Sequence, residues 1–334
     1  MRAVRLHKIG GVENLKLEEL PDPQPPPNGA VVRIEAAALN HRDVFIRQGL
    51  YAKIQLPAIL GSDGAGVVES AGDPSWVGKK VVIIPCEGWG PDPRAQDPKT
   101  FLILGMPKPG TFAERIAQPL DRLMHMPSHL SFSEAAALPL AGLTAYRALV
   151  TRGEVKRGDH VLVTGIGGGV ATVAMLLAQA LGAQVSVTSG SEDKLARARG
   201  MGAIAAVSYR QKGWEKELVQ QAGRPPTVII DSAGGGEFNA LVAAAAPGAR
   251  IVSYGATRGA VDKLEMPRVF FKQLDLRGST MGTDDEFRAM LQLVEQKRVK
   301  PIVDRVIPLS QYPEADQLME KSEQMGKIVL DCRK

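Results

Sequence analysis

The first stretch suited to chemistry is residues 160–183, HVLVTGIGGGVATVAMLLAQALGA. An apolar β-branched run leads into a glycine cluster at 165–169, and an apolar helical segment follows. Gly165, Gly168 and Ala171 are small residues at three-residue spacing. Glycine allows backbone N–H groups to approach a phosphate, and a helix N-terminus attracts negative charge. The stretch therefore predicts a dinucleotide-binding turn, in preference to an ordinary strand-to-helix connection whose glycines serve packing alone.

The next predicted strand ends at Thr188 and Ser189, a position that decides between two dinucleotides. An Asp or Glu at this strand end binds the ribose hydroxyls of NAD. Here the position is neutral, and Lys194, Tyr209 and Arg210 follow it. This pattern favours the 2′-phosphate of NADPH over NADH. The alternative is that Lys194 and Arg210 are solvated surface charges.

Two further segments concentrate polar residues. Residues 37–51, AALNHRDVFIRQGLY, follow a predicted strand, and Ser62 and Asp63 lie between glycines in GSDGAG. A solvated loop is the alternative interpretation of the first segment. No G-x-S-x-G elbow occurs, so the sequence does not predict a serine nucleophile.

The histidines and cysteines do not predict a metal site. The chain has five histidines and two cysteines, and none of them form a C-x-x-C pair or an H-E-x-x-H motif. His125 and His129 are four apart, but Pro127 between them disfavours a shared helical face. We therefore expect no bound zinc.

The predicted secondary structure that positions these residues changes in type along the chain. Both ends read as strand-rich, whereas the middle alternates strands and helices, which is typical of a parallel sheet covered by helices. Strands are predicted at 160–164, 184–188, 203–207, 227–231, 249–254 and 274–277, with helices at 169–181, 192–200, 213–222 and 236–246. We expect one discontinuous domain, 1–129 with 283–334, and one α/β domain, 130–282.

Composition limits the function classes. The 334 residues are 44% hydrophobic with a net charge of +5 and no run of like charge, which gives no reason to expect nucleic acid as a partner. No apolar stretch is long enough to span a bilayer. With Cys86 and Cys332 as the only cysteines, a disulfide framework is absent, and we expect a cytoplasmic protein.

Taken together, the motifs resemble the medium-chain dehydrogenase/reductase superfamily, in particular its zinc-free quinone oxidoreductase-like branch. The resemblance covers essentially the whole chain and rests on ALNHRDVFIRQGLY, LGSDGAGVVESAG, GTFAE, EAAALPLAGLTAYRAL, the glycine stretch and GKIVL. It implies a Rossmann doubly wound parallel sheet, a GroES-like β-rich catalytic domain, and an active site in the cleft between them. It also implies a homodimer formed through strand 274–277.

The resemblance also implies that zinc-dependent chemistry is absent. Asn40 and Ser62 stand where zinc alcohol dehydrogenases of the superfamily have catalytic zinc ligands, and the third ligand position falls near Leu140. The 85–110 segment retains only Cys86 of a structural-zinc loop. Without a Lewis acid, suitable acceptors are already electrophilic. The resemblance therefore implies NADPH-dependent hydride transfer to quinones or α,β-unsaturated carbonyls.

Site residues follow from the same resemblance. Candidate donors to the acceptor oxygen are Asn40, Arg42, Tyr51 and Thr144, with Asp63 orienting them and Phe45 and Trp89 lining the substrate pocket. Candidate cofactor residues are Gly165, Gly168, Gly169, Val170, Ser189, Lys194, Tyr209, Arg210, Ser232, Ala233, Tyr254, Gly255, Ala256 and Lys327. Two alternatives remain: an alcohol or aldehyde dehydrogenase of the same superfamily, and a dinucleotide-binding redox sensor with little catalysis.

Overall fold

The computed structural model describes residues 1–334, which form two compact units. The first unit comprises Met1–Ala141 and Thr283–Lys334, and the second comprises Gly142–Gly282. The first unit is thus discontinuous. Its first segment ends at Ala141, whereas the sequence suggested residue 129, and the second segment begins at the predicted position.

The first unit is built mainly from strands. Its first segment contains β1 (Arg2–Leu6), β2 (Leu15–Glu19), β3 (Gly29–Ala38), α1 (His41–Arg47), β4 (Ala58–Ile59), β5 (Asp63–Ala71), β6 (Lys80–Ile83), β7 (Cys86–Glu87), β8 (Leu102–Ile103), β9 (Arg115–Pro119), β10 (Leu123–His125) and α2 (Phe132–Ala136). Helix α3 (Pro139–Tyr146) contains the boundary between the units and is followed by a π-helical turn, Arg147–Arg152.

The second unit alternates strands and helices as the sequence predicted. It contains β11 (His160–Val163), α4 (Gly169–Ala180), β12 (Gln184–Ser189), α5 (Glu192–Gly200), β13 (Ala205–Ser208), α6 (Trp214–Ala222), β14 (Val228–Asp231), α7 (Phe238–Ala244), β15 (Arg250–Ser253), α8 (Met266–Phe271) and β16 (Asp275–Gly278). The chain then returns to the first unit with α9 (Asp284–Lys297), β17 (Val303–Pro308), α10 (Tyr312–Lys321) and β18 (Lys327–Asp331).

The main sheet of the first unit has the strand order β10-β6-β5-β3-β18-β17, and β9 also pairs with β3. Strand β18 comes from the end of the chain and pairs antiparallel with β3, with Val329 opposite Ala38. The sheet, a smaller β2-β1-β4 sheet and α10 enclose one apolar core. This pairing brings residues from both ends of the chain to the same strand end.

Residues 131–141 belong to the first unit because of their packing. Ser131 and Glu134 form the predicted capping box that begins α2. The helix packs against β3 and β5, and its Ala135 and Ala136 are fully buried. The Leu140 N–H then donates to the buried Asp63 carboxylate. The change from strands to helices therefore precedes the end of the first unit.

The second unit is a doubly wound parallel sheet with strand order β13-β12-β11-β14-β15-β16. Parallel pairs run throughout, for example Val161 beside Val185 and Val228. This is the Rossmann order, in which ligands bind beyond the carboxyl ends of the central strands. Helix α8 was not predicted, because its exposed Phe270 and Phe271 break an amphipathic pattern.

The structure contains neither a membrane-spanning helix nor a disulfide bond. No helix is both long and apolar enough to traverse a bilayer. Cys86 and Cys332 are buried and form no disulfide.

Candidate active site and cofactor site

The polar segment after β3 forms a short helix, where the sequence allowed a solvated loop. Asn40 is the N-cap of α1, and its N–H donates to Asp43 Oδ2 over 2.9 Å in a capping box. Both side chains are buried. Burial raises the pKa of Asp43 to about 6, although the charge of Arg42 acts in the opposite direction.

A buried amide–carboxylate–ammonium cluster lies at this strand end. Lys327 Nζ is 2.6 Å from Asn40 Oδ1 and 2.9 Å from Asp63 Oδ2, and Asn40 Nδ2 donates to the same Asp63 oxygen. The Leu140 N–H donates to Asp63 Oδ1 over 2.6 Å. The sequence grouped Lys327 with the cofactor residues; the structure places it beside Asn40 and Asp63, because β18 pairs with β3.

Arg42 forms a second buried polar cluster. Its Nη1 donates to Ser62 Oγ and to the Leu104 carbonyl, each over 2.8 Å. The Tyr51 ring lies against the guanidinium, with the carbon Cζ 5.2 Å from the ring centroid. Arg42 Nε and Nη2 are buried and have no hydrogen-bond partner in the protein. These two N–H groups form the planar edge by which guanidinium binds oxygen anions.

The remaining candidates of this group occupy separate places. Phe45 lies on α1, with its ring 6.3 Å from that of His41. Trp89 is buried edge-on to Phe101, and its Nε1 donates to a carbonyl within the 85–110 segment. Thr144 belongs to the second unit, where its Oγ1 contacts Met281 Sδ at 3.8 Å.

The glycine turn of the second unit has the geometry of a phosphate site. Gly165 and Gly167 have φ of +65° and +130°, the left-handed region that favours glycine. Gly168 is the N-cap of α4, and no side chain caps this helix. The first N–H groups of α4 are therefore not bonded to a capping side chain, and a helix N-terminus of this kind is suited to bind a phosphate. Gly169 and Val170 begin the helix, and Ala171 in its first turn is buried.

Basic side chains surround the end of β12. A Cβ atom on Gly190 would lie 2.7 Å from Tyr209 Oη and 2.9 Å from Arg210 Nε, so both side chains reach this strand end. Lys194 extends along the glycine turn, with its Nζ 3.1 Å from where a Gly167 Cβ would be. Tyr209 and Arg210 thus meet at Gly190, directly after the neutral Ser189, and Lys194 lies beside the glycine turn.

Asp231, at the end of β14, organises these turns and was not predicted. Its Oδ1 accepts from Thr164 Oγ1 over 2.7 Å, and its Oδ2 accepts from the Gly234 N–H over 2.9 Å. The carboxylate therefore joins the turn after β11 to the turn after β14. The sequence feature that could have indicated this role is an acidic residue at the end of the otherwise apolar strand VIID.

The other predicted cofactor residues follow β14 and β15. Ser232 and Ala233 accept backbone hydrogen bonds from Thr257 and Arg258, so the two turns are adjacent. Tyr254 leads into the exposed Gly255 and Ala256. Burial raises the pKa of Tyr254 above its ordinary value.

Two family models match different parts of the chain. The family model for an alcohol dehydrogenase GroES-like domain matches residues 26–128, and the model for a zinc-binding dehydrogenase matches residues 169–296. The zinc-type alcohol dehydrogenase-like protein YogA of Leptosphaeria maculans is 38% identical, across 95% of this chain and 94% of that protein. The chain belongs to the medium-chain dehydrogenase/reductase superfamily.

Two further members of the superfamily show its range. A solved structure of an NAD-dependent alcohol dehydrogenase is 39% identical, with a TM-score of 0.93 over 99% of each chain. The quinone oxidoreductase of Pongo abelii is 28% identical across 99% of this chain and 97% of that protein. As a medium-chain dehydrogenase/reductase, this protein is an oxidoreductase, and its superfamily binds a nicotinamide dinucleotide.

Superfamily membership allows the buried cluster of the first unit to be compared with the zinc site of related enzymes. The resemblance matches Asn40 and Ser62 to catalytic zinc-ligand positions of the superfamily and puts the third near Leu140; in the structure Ser62 accepts a hydrogen bond from Arg42. No three His, Cys, Asp or Glu side chains in the chain are grouped closely enough to hold a metal ion.

Proposed function

We propose that this protein is an NADPH-dependent, zinc-independent oxidoreductase that reduces quinones or α,β-unsaturated carbonyl compounds. The observation that carries the proposal is the environment of Ser62. At this zinc-ligand position, a serine hydroxyl is bonded to the guanidinium of Arg42. A permanent protein cation therefore lies where related enzymes bring a metal cation close to the substrate.

The residues around Ser62 do not suit Zn²⁺. Zinc is bound by thiolate, imidazole or carboxylate, whereas Asn40, Ser62 and Leu140 offer an amide, a hydroxyl and an aliphatic group. Of the two buried carboxylates here, Asp63 is already bound to Lys327 and to the Leu140 N–H, and Asp43 accepts from the Asn40 N–H. Two buried cations nearby would also repel a divalent ion. This misfit supports chemistry without zinc.

Chemistry without a Lewis acid favours acceptors that are already electrophilic. A bound nicotinamide dinucleotide supplies the hydride. The acceptor oxygen then gains negative charge, which a preorganised donor must stabilise. Arg42 is suited to this task because its Nε and Nη2 are unpaired and its charge is permanent. Asn40 and Asp63 hold the neighbouring backbone in place, and Tyr51 and Thr144 are further candidate donors.

The preference for NADPH rests on the end of β12. Ser189 and Gly190 present no carboxylate to the ribose, and Tyr209 and Arg210 reach Gly190. A carboxylate would repel a 2′-phosphate, whereas a guanidinium binds it. The name of the solved NAD-dependent alcohol dehydrogenase makes NADH-dependent alcohol oxidation the second candidate function.

The acceptor class is tested with the full-length protein. We expect stopped-flow oxidation of NADPH by members of a quinone and enone panel, no stoichiometric zinc by mass spectrometry, and no effect of a chelator. Zinc-dependent oxidation of alcohols would instead establish the second candidate. Tight NADPH binding without turnover of any acceptor would support a redox sensor.

The role of Arg42 is tested by Arg42→Met, which retains the apolar stem. We expect kcat to fall about a hundredfold or more while the affinity for NADPH is unchanged. Arg47→Gln is the matched control, since Arg47 is buried on the same helix but pairs with Asp316 and Glu320. This control should lower the melting temperature and leave kcat intact. Equal kcat values for both variants would exclude Arg42 from catalysis.

The NADPH preference has its own test. Lys194→Ala and Arg210→Ala should each weaken NADPH binding about tenfold or more and leave NADH binding nearly unchanged. Arg288→Ala, on the exposed face of α9, is the control. An unchanged ratio of NADPH to NADH affinity in both variants would refute this assignment.

We also propose a cytoplasmic homodimer that pairs through β16. This strand ends the sheet order of the second unit, so one of its edges has no partner strand. Leu276 on the strand is exposed, as are Phe270 and Phe271 just before it. Pairing with a second copy would cover both the edge and these side chains.

A further inference from the structure

One basic residue near the strand ends of the second unit was not among the predicted cofactor residues. Arg258 lies in the exposed segment after β15. Its guanidinium carbon is 5.2 Å from the centroid of the Tyr209 ring. Tyr209 Oη in turn reaches Gly190 at the end of β12. Segments that follow β12, β13 and β15 thus meet at one place.

The backbone holds Arg258 in this position. Its N–H donates to the Ala233 carbonyl over 2.9 Å, and the Gly235 N–H donates to the Gly259 carbonyl over 3.0 Å. Gly235 has φ of +64°, and a Cβ there would lie 2.7 Å from the Arg258 carbonyl oxygen. Glycine at 235 therefore permits the close approach that sets Arg258 over Tyr209.

The charges at this place are not neutralised by the protein. Neither Arg210 nor Arg258 forms an ion pair with a carboxylate, although most arginines of the chain do so. The Arg258 guanidinium lies over the face of the Tyr209 ring, a position from which its N–H groups can donate to a ligand. Two uncompensated guanidinium groups beside one tyrosine hydroxyl favour a ligand with two negative charges.

We propose that Arg258 is a specificity-determining residue that binds the 2′-phosphate of NADPH together with Arg210 and Lys194. The inference rests on the proposed function, since it assumes that the second unit takes NADPH. It adds that a separate loop, positioned by Gly235, supplies one of the phosphate contacts. Stacking of Arg258 on the adenine ring is the rival role, and it would affect NADPH and NADH equally.

The test measures binding of NADPH, NADH, adenosine 2′,5′-bisphosphate and adenosine 5′-monophosphate to the full-length protein. Arg258→Ala should weaken binding of the two 2′-phosphorylated ligands about tenfold or more and change the other two less than about twofold. Arg258→Lys should lie between Arg258→Ala and the parent protein. Arg268→Ala is the matched control, because Arg268 is exposed on the following helix and pairs with Glu265.

The outcomes separate this inference from the proposed NADPH preference. If Lys194→Ala and Arg210→Ala lower the NADPH to NADH affinity ratio but Arg258→Ala does not, only the role of Arg258 is refuted. If none of the three changes the ratio, the 2′-phosphate site itself is refuted. Equal weakening of all four ligands by Arg258→Ala would overturn the inference in favour of adenine stacking.

Discussion

The most constrained residues of the protein are the buried charges around Asn40. Lys327 and Asp63 are 2% and 0% exposed, and each is the main counter-charge of the other. An ion pair in such a place contributes little net stability, but removing one partner leaves a buried charge without compensation. The pair therefore fixes where Asn40 points, and it ties the last strand of the chain to β3.

This coupling gives a stability prediction. Lys327→Met should lower the free energy of unfolding by roughly 3–5 kcal/mol. The double variant Lys327→Met with Asp63→Asn should cost less than the sum of the two single variants, because neither charge is then left alone. Urea unfolding followed by circular dichroism measures all three values. Strictly additive costs would show that the two groups are not coupled.

A second buried carboxylate predicts a pH dependence. Asp316 accepts a hydrogen bond from Arg47 Nε over 2.7 Å, yet burial raises its pKa from the ordinary 3.8 to about 6. The folded protein then holds this proton more tightly than the unfolded chain does. The contribution of Asp316 to stability is therefore present below about pH 4 and is lost as the pH rises through about 6.

Asp316→Asn removes this titration. Relative to the parent, the variant should gain roughly 3 kcal/mol in free energy of unfolding between pH 4 and pH 7. Asp285→Asn, which removes an exposed carboxylate that pairs with Arg288, is the control substitution. A pH-independent difference for Asp316→Asn would contradict the raised pKa.

At the scale of elements, two adjacent glycines in the turn between β11 and α4 differ in what requires them, backbone conformation for one and ligand binding for the other. Gly167 has φ of +130°, and a Cβ there would be 2.7 Å from Lys194 Cδ. Gly168 has φ of −67° and room for a Cβ, with its nearest neighbour at 3.8 Å. One glycine is thus required by the backbone, whereas the other is placed at a helix N-terminus suited to phosphate.

Alanine substitutions should separate these two roles. Gly167→Ala should lower the free energy of unfolding by roughly 1–3 kcal/mol, because alanine is strained in this conformation. Gly168→Ala should leave the melting temperature nearly unchanged and weaken binding of both NADPH and NADH, since its methyl group would face the pyrophosphate. Calorimetric melting with dinucleotide titration measures both effects. A stable Gly167→Ala variant would contradict the first expectation.

At the scale of the whole molecule, β16 predicts the assembly state. If a second copy pairs with this strand, Leu276→Asp should place charges in the interface and yield a monomer in sedimentation velocity experiments. Leu17→Asp is the matched control, because Leu17 is exposed on a strand of the first unit to a similar extent, 39% against 40%. A Leu276→Asp variant with the parent's sedimentation coefficient would refute pairing through β16.

The amino-acid sequence by itself determined the parallel α/β unit and the glycine turn after its first strand, and it predicted Lys194, Tyr209 and Arg210 as cofactor residues. These features depend on periodicity and on glycine conformations within a few residues, so local chemistry is sufficient to specify them. Only the tertiary structure decided that Lys327 joins Asn40, that residues 131–141 pack with the first unit, and that Arg258 reaches Tyr209. Each of these contacts joins segments distant in the chain, and strand pairing or loop packing, which no local pattern records, brings them together.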